Sequence, residues 1–179
     1  MLPATGASTA SHAPSAPDFM TSTEISPLAS ALGRIPTGLY IVTTTTDDGP
    51  IGFVGSFVIQ LGFDPPTVCV AIGKDRGPLA AVRASGRFGL SILDGDSSGL
   101  MGPFFKKYEG GETPFDALAV ESAPGGSPIL PEALAWLECK VTGEHELGDH
   151  VVVFGEVTDG AQTREGDPSV HLRKNGLSY

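Results

Sequence analysis

Gly52-Phe53-Val54-Gly55-Ser56-Phe57-Val58-Ile59-Gln60 runs on to Asp64-Pro65-Pro66 and then to Thr67-Val68-Cys69-Val70-Ala71-Ile72-Gly73-Lys74-Asp75-Arg76. The first run is apolar and β-branched enough for a strand. Pro65-Pro66 fixes two φ angles and removes two ladder donors, so the strand ends there. Val68 to Ile72 is an unbroken apolar run, too short for a helix and suited to a buried strand. Gly73 to Arg76 is then a charged loop, and Gly77-Pro78 opens a helix, where proline is tolerated at the first position. The unit reads as strand, corner, strand, loop and helix start.

Upstream, Ser26-Pro27 begins a short helix with Ser as N-cap, ended by Gly33 and Pro36. Leu39 to Thr46 is aromatic and β-branched, and Asp47-Asp48-Gly49-Pro50 turns it into a hairpin with the opening stretch. Downstream, Pro78 to Ala84 is helical and Gly86 stops it; Phe88 to Leu93 is a strand. Leu100, Met101, Phe104 and Phe105 recur at helical spacing, with Lys106-Lys107 at the helix end. Gly110-Gly111 breaks that pattern, and the chain through Pro124 is expected to pass over the surface. Trp136 to Val141 is the core of the longest strand, Leu147-Gly148-Asp149 turns it, and His150 to Val157 pairs back. Consecutive hairpins with one helical crossover predict a mainly β protein: a closed or nearly closed, Greek-key-like antiparallel barrel with a few short helices.

The chain has 179 residues, enough for one domain and a tail. Residues 1–24 are Ala-, Ser-, Thr- and Pro-rich and are expected to be disordered; 25–179 form the domain. A net charge of −10 argues against nucleic acid and against an anionic membrane surface. Nothing approaches the roughly 18 apolar residues of a membrane helix. Cys69 and Cys139 both sit in apolar strands, which predicts buried free thiols in a reducing compartment. Without a basic segment followed by an apolar one at the start, the expected location is cytoplasmic.

Charge gives the first chemical signal. Of 11 basic residues, Lys74, Arg76, Arg83 and Arg87 lie between positions 74 and 87 of an otherwise acidic chain. Lys74 and Arg76 precede a helix start, where free N–H groups and the positive dipole end converge on an anion. The alternative is a solvated surface loop. Neither a P-loop nor a G-x-G-x-x-G turn is present, so a phosphate would be held by another architecture. Ser56, between Gly55 and Phe57 in an apolar strand, needs a partner for its hydroxyl: a neighbouring carbonyl or a ligand. His150 follows a hairpin tip and sits on a rim, suited to donating a hydrogen bond to a substrate. His145, Glu144, Glu146 and Asp149 have no tight metal-ligand spacing, so no metal site is expected.

Seven motifs occur in order: Leu32-Gly33-Arg34-Ile35-Pro36-Thr37-Gly38, Gly52 to Gln60, Asp64-Pro65-Pro66, Gly73 to Arg76, Ser85-Gly86-Arg87-Phe88, Trp136-Leu137-Glu138-Cys139 and Gly148-Asp149-His150. Together they resemble the flavin reductase-like proteins, FMN-binding split β-barrels, over about Pro27 to Tyr179. Lys74-Asp75-Arg76, Ser127-Pro128-Ile129-Leu130 and His171-Leu172-Arg173-Lys174 are especially similar to the flavin reductase module of flavodiiron proteins. The resemblance implies a homodimer binding FMN, or FAD, and hydride transfer from NADH or NADPH. It places Gly52, Phe53, Val54, Gly55 and Ser56 along the isoalloxazine and ribityl chain, and Thr37 and Gly38 at the ring border. Lys74, Asp75 and Arg76 form the phosphate loop, His150 stands by the nicotinamide, and the tail from His171 to Tyr179 covers the site. Where family members often carry Thr or Ser, this chain has Phe53, Val54 and Gly55. The expected acceptor is an oxygenase, a flavodiiron partner or free flavin. The rival readings are a flavin-binding electron-carrier or storage module without nicotinamide turnover, and a haem barrel ligated by His150 or His171.

Overall fold

The computed structural model describes residues 25–174; the predicted tail 1–24 and Tyr179 lie outside the described residues. Helix α1, Pro27–Leu32, is capped by Ser26, whose hydroxyl accepts from the Ala29 amide. Strand β1, Thr37–Gly38, precedes β2, Tyr40–Thr46, and the hairpin to β3, Gly49–Gly55. Strands β4, Val58–Phe63, and β5, Pro66–Gly73, form the next hairpin around Asp64-Pro65. Helix α2, Gly77–Ser85, ends at Gly86, whose φ of 65° is the left-handed conformation that favours glycine. Strands β6, Arg87–Ile92, β7, Glu121–Ser122, β8, Pro128–Ile129, β9, Ala135–Leu147, β10, His150–Gln162, and β11, Val170–His171, complete the chain.

Seven strands form one antiparallel sheet in the order β3-β2-β6-β9-β10-β5-β4. Its two edges, β3 and β4, are consecutive in sequence and joined only by Ser56-Phe57. Phe53 on one edge and Val68, Val70 and Ile72 beside the other belong to one buried cluster with Val42, Phe88 and Val151. Such sharing requires the sheet to roll up on itself while its edge strands stay unpaired, which is a split barrel. Each of these fully buried aliphatic or aromatic side chains contributes roughly 1.5–3 kcal/mol. A second cluster, Ile41, Leu93, Leu100, Leu130 and Ala133, fills the other face, with Leu39, Val54, Met101 and Phe104 packed against it.

Several expectations change. The opening stretch is two strands, broken at Ser56-Phe57, because the chain there leaves one sheet edge for the other. Apolar periodicity continues through that break, so the sequence does not mark it. Ser98–Phe105 is a 3₁₀ helix rather than an α-helix, with Pro103 inside it. β9 and β10 are 13 residues each, longer than their apolar segments, because their polar distal halves still pair with one another. Cys139 is buried, and burial followed by the Glu138 charge pushes its thiol up to about 12. Cys69 is only half-buried, since β5 lies beside the sheet edge.

The end of β6 is tied down by a buried carboxylate. Asp94 Oδ1 accepts from the Ser97 hydroxyl (2.6 Å), the Ser97 amide (2.8 Å) and Arg164 Nη2 (2.6 Å). These bonds, Ser97's foremost, hold its carboxyl at about 2 against the upward pull of burial. The folded value lies below the unfolded one, about 4. Its stabilisation is therefore complete above about pH 4 and is lost as pH falls toward about 2. Asp94→Asn should flatten this acid limb: melting temperature should drop less steeply from pH 5 to pH 2 than in the wild type, on the linkage argument. Parallel curves would assign the acid sensitivity elsewhere.

Candidate functional site

One pocket of about 580 Å³ opens beside β3. Its floor is Gly52, Phe53, Val54, Gly55 and Ser56; Arg76 enters from α2, and Leu39, Met101, Phe104 and Phe105 form an apolar wall. His171, Leu172, Arg173 and Lys174 complete it. The volume suits a drug- or cofactor-sized ligand, and the lining is apolar with a few cationic groups, as such sites usually are. Among the described residues no carboxylate lines it, in a chain whose net charge is −10.

The basic cluster separates in space. Lys74 Nζ pairs with Glu146 at 2.9 Å, Arg83 makes a two-pronged bond to Glu144 at 2.9 and 2.8 Å, and Arg87 lies 3.9 Å from Glu138. All three carboxylates are on β9. Hydrogen bonding to Lys74 and to Arg83 holds Glu146 and Glu144, respectively, below the ordinary carboxylate range. Arg76 is the member that reaches the pocket, its guanidinium 5.4 Å from the Phe53 ring centroid. It is also the N-cap of α2, which has no side-chain cap and no acidic residue in its first turn. The positive end of that helix is thus not neutralised by its own first turn, and a Cβ on Gly77 would meet nothing within 4 Å. Lys74 and Asp75 are exposed and outside the pocket.

Glycine at 52 and 55 has a packing cause. A Cβ on Gly52 would stand 2.8 Å from the Val42 carbonyl oxygen, and one on Gly55 would stand 2.8 Å from Val42 Cγ2. Both therefore let β3 lie close on β2, whatever the pocket holds.

Thr37 and Gly38 do not line the pocket; they hold what does. β1 pairs with β11, Thr37 opposite His171 and Gly38 opposite Val170, and the Thr37 hydroxyl donates to the His171 carbonyl at 3.4 Å. Arg173 then reaches across, donating from Nη2 to Ser56 Oγ at 2.7 Å with its guanidinium 4.2 Å from the Phe57 ring centroid. So the partner of Ser56 is a side chain. His150 stands behind Phe57, edge-on at 5.6 Å, and its Nδ1 lies 2.8 Å from Asp149 Oδ1. That contact, the first cause, lowers the Asp149 carboxyl. Sequence reasoning does not single out Arg173 as an individual site residue. Its signal is the Arg173-Lys174 pair, a basic doublet in an acidic chain, which the denser cluster from Lys74 to Arg87 overshadows. Among the described residues no group of three or more His, Cys, Asp or Glu could hold a metal ion.

A family model described as "Flavin reductase like domain" matches residues 32–176. The chain is 40% identical over 156 residues to diflavin flavoprotein A 1 of Synechocystis, covering 86% of this chain and 27% of that protein. It thus spans about a quarter of the length of the curated relatives it matches. Among solved structures, component B of nitrilotriacetate monooxygenase from Mycobacterium thermoresistibile superposes with a TM-score of 0.74 at 31% identity, over 81% of this chain and 80% of that one. Flavin reductase PheA2 superposes with a TM-score of 0.71 at 28% identity, over 81% and 91%.

Proposed function

The chain belongs to the flavin reductase-like domain family, and from that premise we propose that it is an NAD(P)H:flavin oxidoreductase acting on FMN held in the β3 pocket. The observation that carries this reading is the pocket itself: apolar along Phe53 to Gly55 and the wall of Leu39, Met101, Phe104 and Phe105, with Arg76 and the open start of α2 as its anion-holding end. A planar ring with a phosphorylated chain fits those two halves. FAD would need further room for its adenosine half beyond the same anion site.

When bound, the flavin supplies the redox chemistry, accepting a hydride from NADH or NADPH. The protein's part is placement. Arg76 and the positive end of α2 hold the phosphate; the β3 backbone and the Met101, Phe104 and Leu39 wall exclude water from the ring; His150, braced through Phe57, borders the second nucleotide's side. No side chain has to remove a proton from the donor, so the absence of a carboxylate among the described lining residues is no obstacle. Electrons then pass to a two-component oxygenase, a flavodiiron partner or free flavin, as similarity to a monooxygenase component and to diflavin flavoproteins suggests. Among the described residues no helix is long and apolar enough to cross a membrane, and we place the protein in the cytoplasm.

The test is optical. The purified protein mixed with FMN should show flavin absorption that bleaches when NADH or NADPH is added without oxygen. Bands that persist with both nucleotides would leave a flavin carrier instead.

A homodimer is part of the same proposal. The edge strand β4 exposes Ile59 (61%), Leu61 (51%) and Phe63 (88%), an apolar row that a lone edge strand would leave open to uncontrolled pairing. Ile59→Lys combined with Phe63→Lys should convert a dimer to a monomer by light scattering; an unchanged mass would place the interface elsewhere.

A further inference from the structure

Arg173 is held from several directions at once. Its Nη2 donates to Ser56 Oγ at 2.7 Å, and its guanidinium stands 4.2 Å from the Phe57 ring centroid. The strand just before it is registered on Thr37 and Gly38. Its carbonyl oxygen packs so closely on Gly33 that a Cβ there would collide with it. The side chain is half-buried and lines the pocket at Ser56, as Arg76 lines it at Phe53. Phe53 and Ser56 are three residues apart on extended chain, on the order of 10 Å. The pocket therefore carries two fixed guanidinium groups at separate places and, among the described residues, no carboxylate between them.

Two cations with separate positions have separate work. In the flavin reading, on which this inference rests, Arg76 and the start of α2 take the phosphate, which leaves the Ser56 end for the ring. A hydride brings two electrons and one proton, so the acceptor ring gains one unit of negative charge while the donor nucleotide loses one. A guanidinium stays charged at all working pH values, and one already fixed beside an apolar wall acts more strongly than a mobile, hydrated one. We infer that Arg173 tunes the reduction potential of the bound flavin by favouring its negatively charged, reduced form over the oxidised form. It is a positioning and electrostatic residue; the hydride does not pass through it. The Ser56 hydroxyl serves by aiming it, and Phe57 by carrying its flat face.

The measurement is the midpoint potential of protein-bound FMN, read by equilibration with a reference dye without oxygen. Arg173→Gln should weaken the preference for reduced over oxidised FMN about tenfold, which is about 30 mV toward the negative for a two-electron couple. Arg173→Lys keeps the charge and should hold most of the wild-type potential. Ser56→Ala releases the guanidinium and should shift the potential the same way by less. An unchanged potential in Arg173→Gln overturns the inference. So does Arg173→Lys falling as far as Arg173→Gln, which would make the residue merely structural. A raised KM for NADH at constant potential also overturns it, and assigns the cation to the second nucleotide's phosphate. If Arg173→Gln does not fold, Ser56→Ala decides, and an unmoved potential there overturns the inference equally. A wild-type protein that takes up no FMN would instead fail at the flavin reading itself, before any variant is compared.

Discussion

Arg76→Ala should weaken FMN binding roughly 10- to 100-fold while changing riboflavin affinity by less than about threefold, because a hydrogen bond to a charged group contributes about 1.5–3 kcal/mol and each 1.4 kcal/mol is tenfold. Fluorescence quenching on titration with each flavin gives both constants. The two ligands differ only in the phosphate, so the difference between them isolates that group from ring stacking. Arg76 is the cluster member in the pocket, and it sits at a helix start with no acidic residue in its first turn. Lys74 is engaged by Glu146 at 2.9 Å, with 38% of its side chain exposed. Lys74→Ala alone should therefore cost only a few-fold, through the long-range field and not through contact, as expected for an exposed pair. Equal losses of FMN and riboflavin in Arg76→Ala would place the phosphate elsewhere and make the Arg76–Phe53 contact a stacking platform.

The fold is legible in the sequence where its signals are local. Pro65-Pro66 closing a strand, Gly86 closing a helix and Ser26-Pro27 opening one are each decided by one or two residues, and each is present as expected. The break at Ser56-Phe57 is not legible, because only the rolled sheet requires it: β3 and β4 are neighbours in sequence and the two edges of the sheet. The pocket is half legible for the same reason. Gly52 to Ser56 and Arg76 are brought together by one hairpin pair and one helix start, all within a short span. Arg173 reaches Ser56 across 117 positions, a pairing that no spacing in the chain announces. The partners of Lys74, Arg83 and Arg87 are equally invisible, since alternating Glu138, Glu144 and Glu146 read as the solvated face of β9 until the register is known. Once those pairings are drawn, a cluster of four cations reduces to one at the pocket.

Glu138→Ala should destabilise the molecule as much as truncating a large core side chain, by about 3–5 kcal/mol, the usual result of removing one partner from a buried charged network. Glu138 is 1% exposed; its carboxylate accepts from the Gly125 amide at 2.6 Å and the Ser127 amide at 2.9 Å, and Arg87 stands 3.9 Å away. Burial pulls its pKa up, yet the bonds from Ser127 and Gly125 and the Arg87 charge outweigh it, and the net shift is downward. Its stabilisation is therefore present above the ordinary carboxylate pKa and is lost as pH falls through its depressed folded value. Truncation takes the acceptor from the buried Ser127 amide and from the Gly125 amide, which together fix the turn before β8, where Thr43 Oγ1 also donates to the Pro128 carbonyl at 2.5 Å. Beyond that turn Leu130 packs with Leu100 in the second core, on which Met101 and Phe104 stand as the pocket's apolar wall. Melting should drop by about 6–20 °C, at roughly 2–4 °C per kcal/mol for a chain of this length. Glu138→Gln keeps one acceptor oxygen and should lose less. Saturating FMN should still raise the melting point of Glu138→Ala, because a ligand that binds only the folded state stabilises it whatever the starting stability. A variant that melts low and no longer responds to FMN would show that the wall of the pocket, and not the turn alone, depends on this carboxylate.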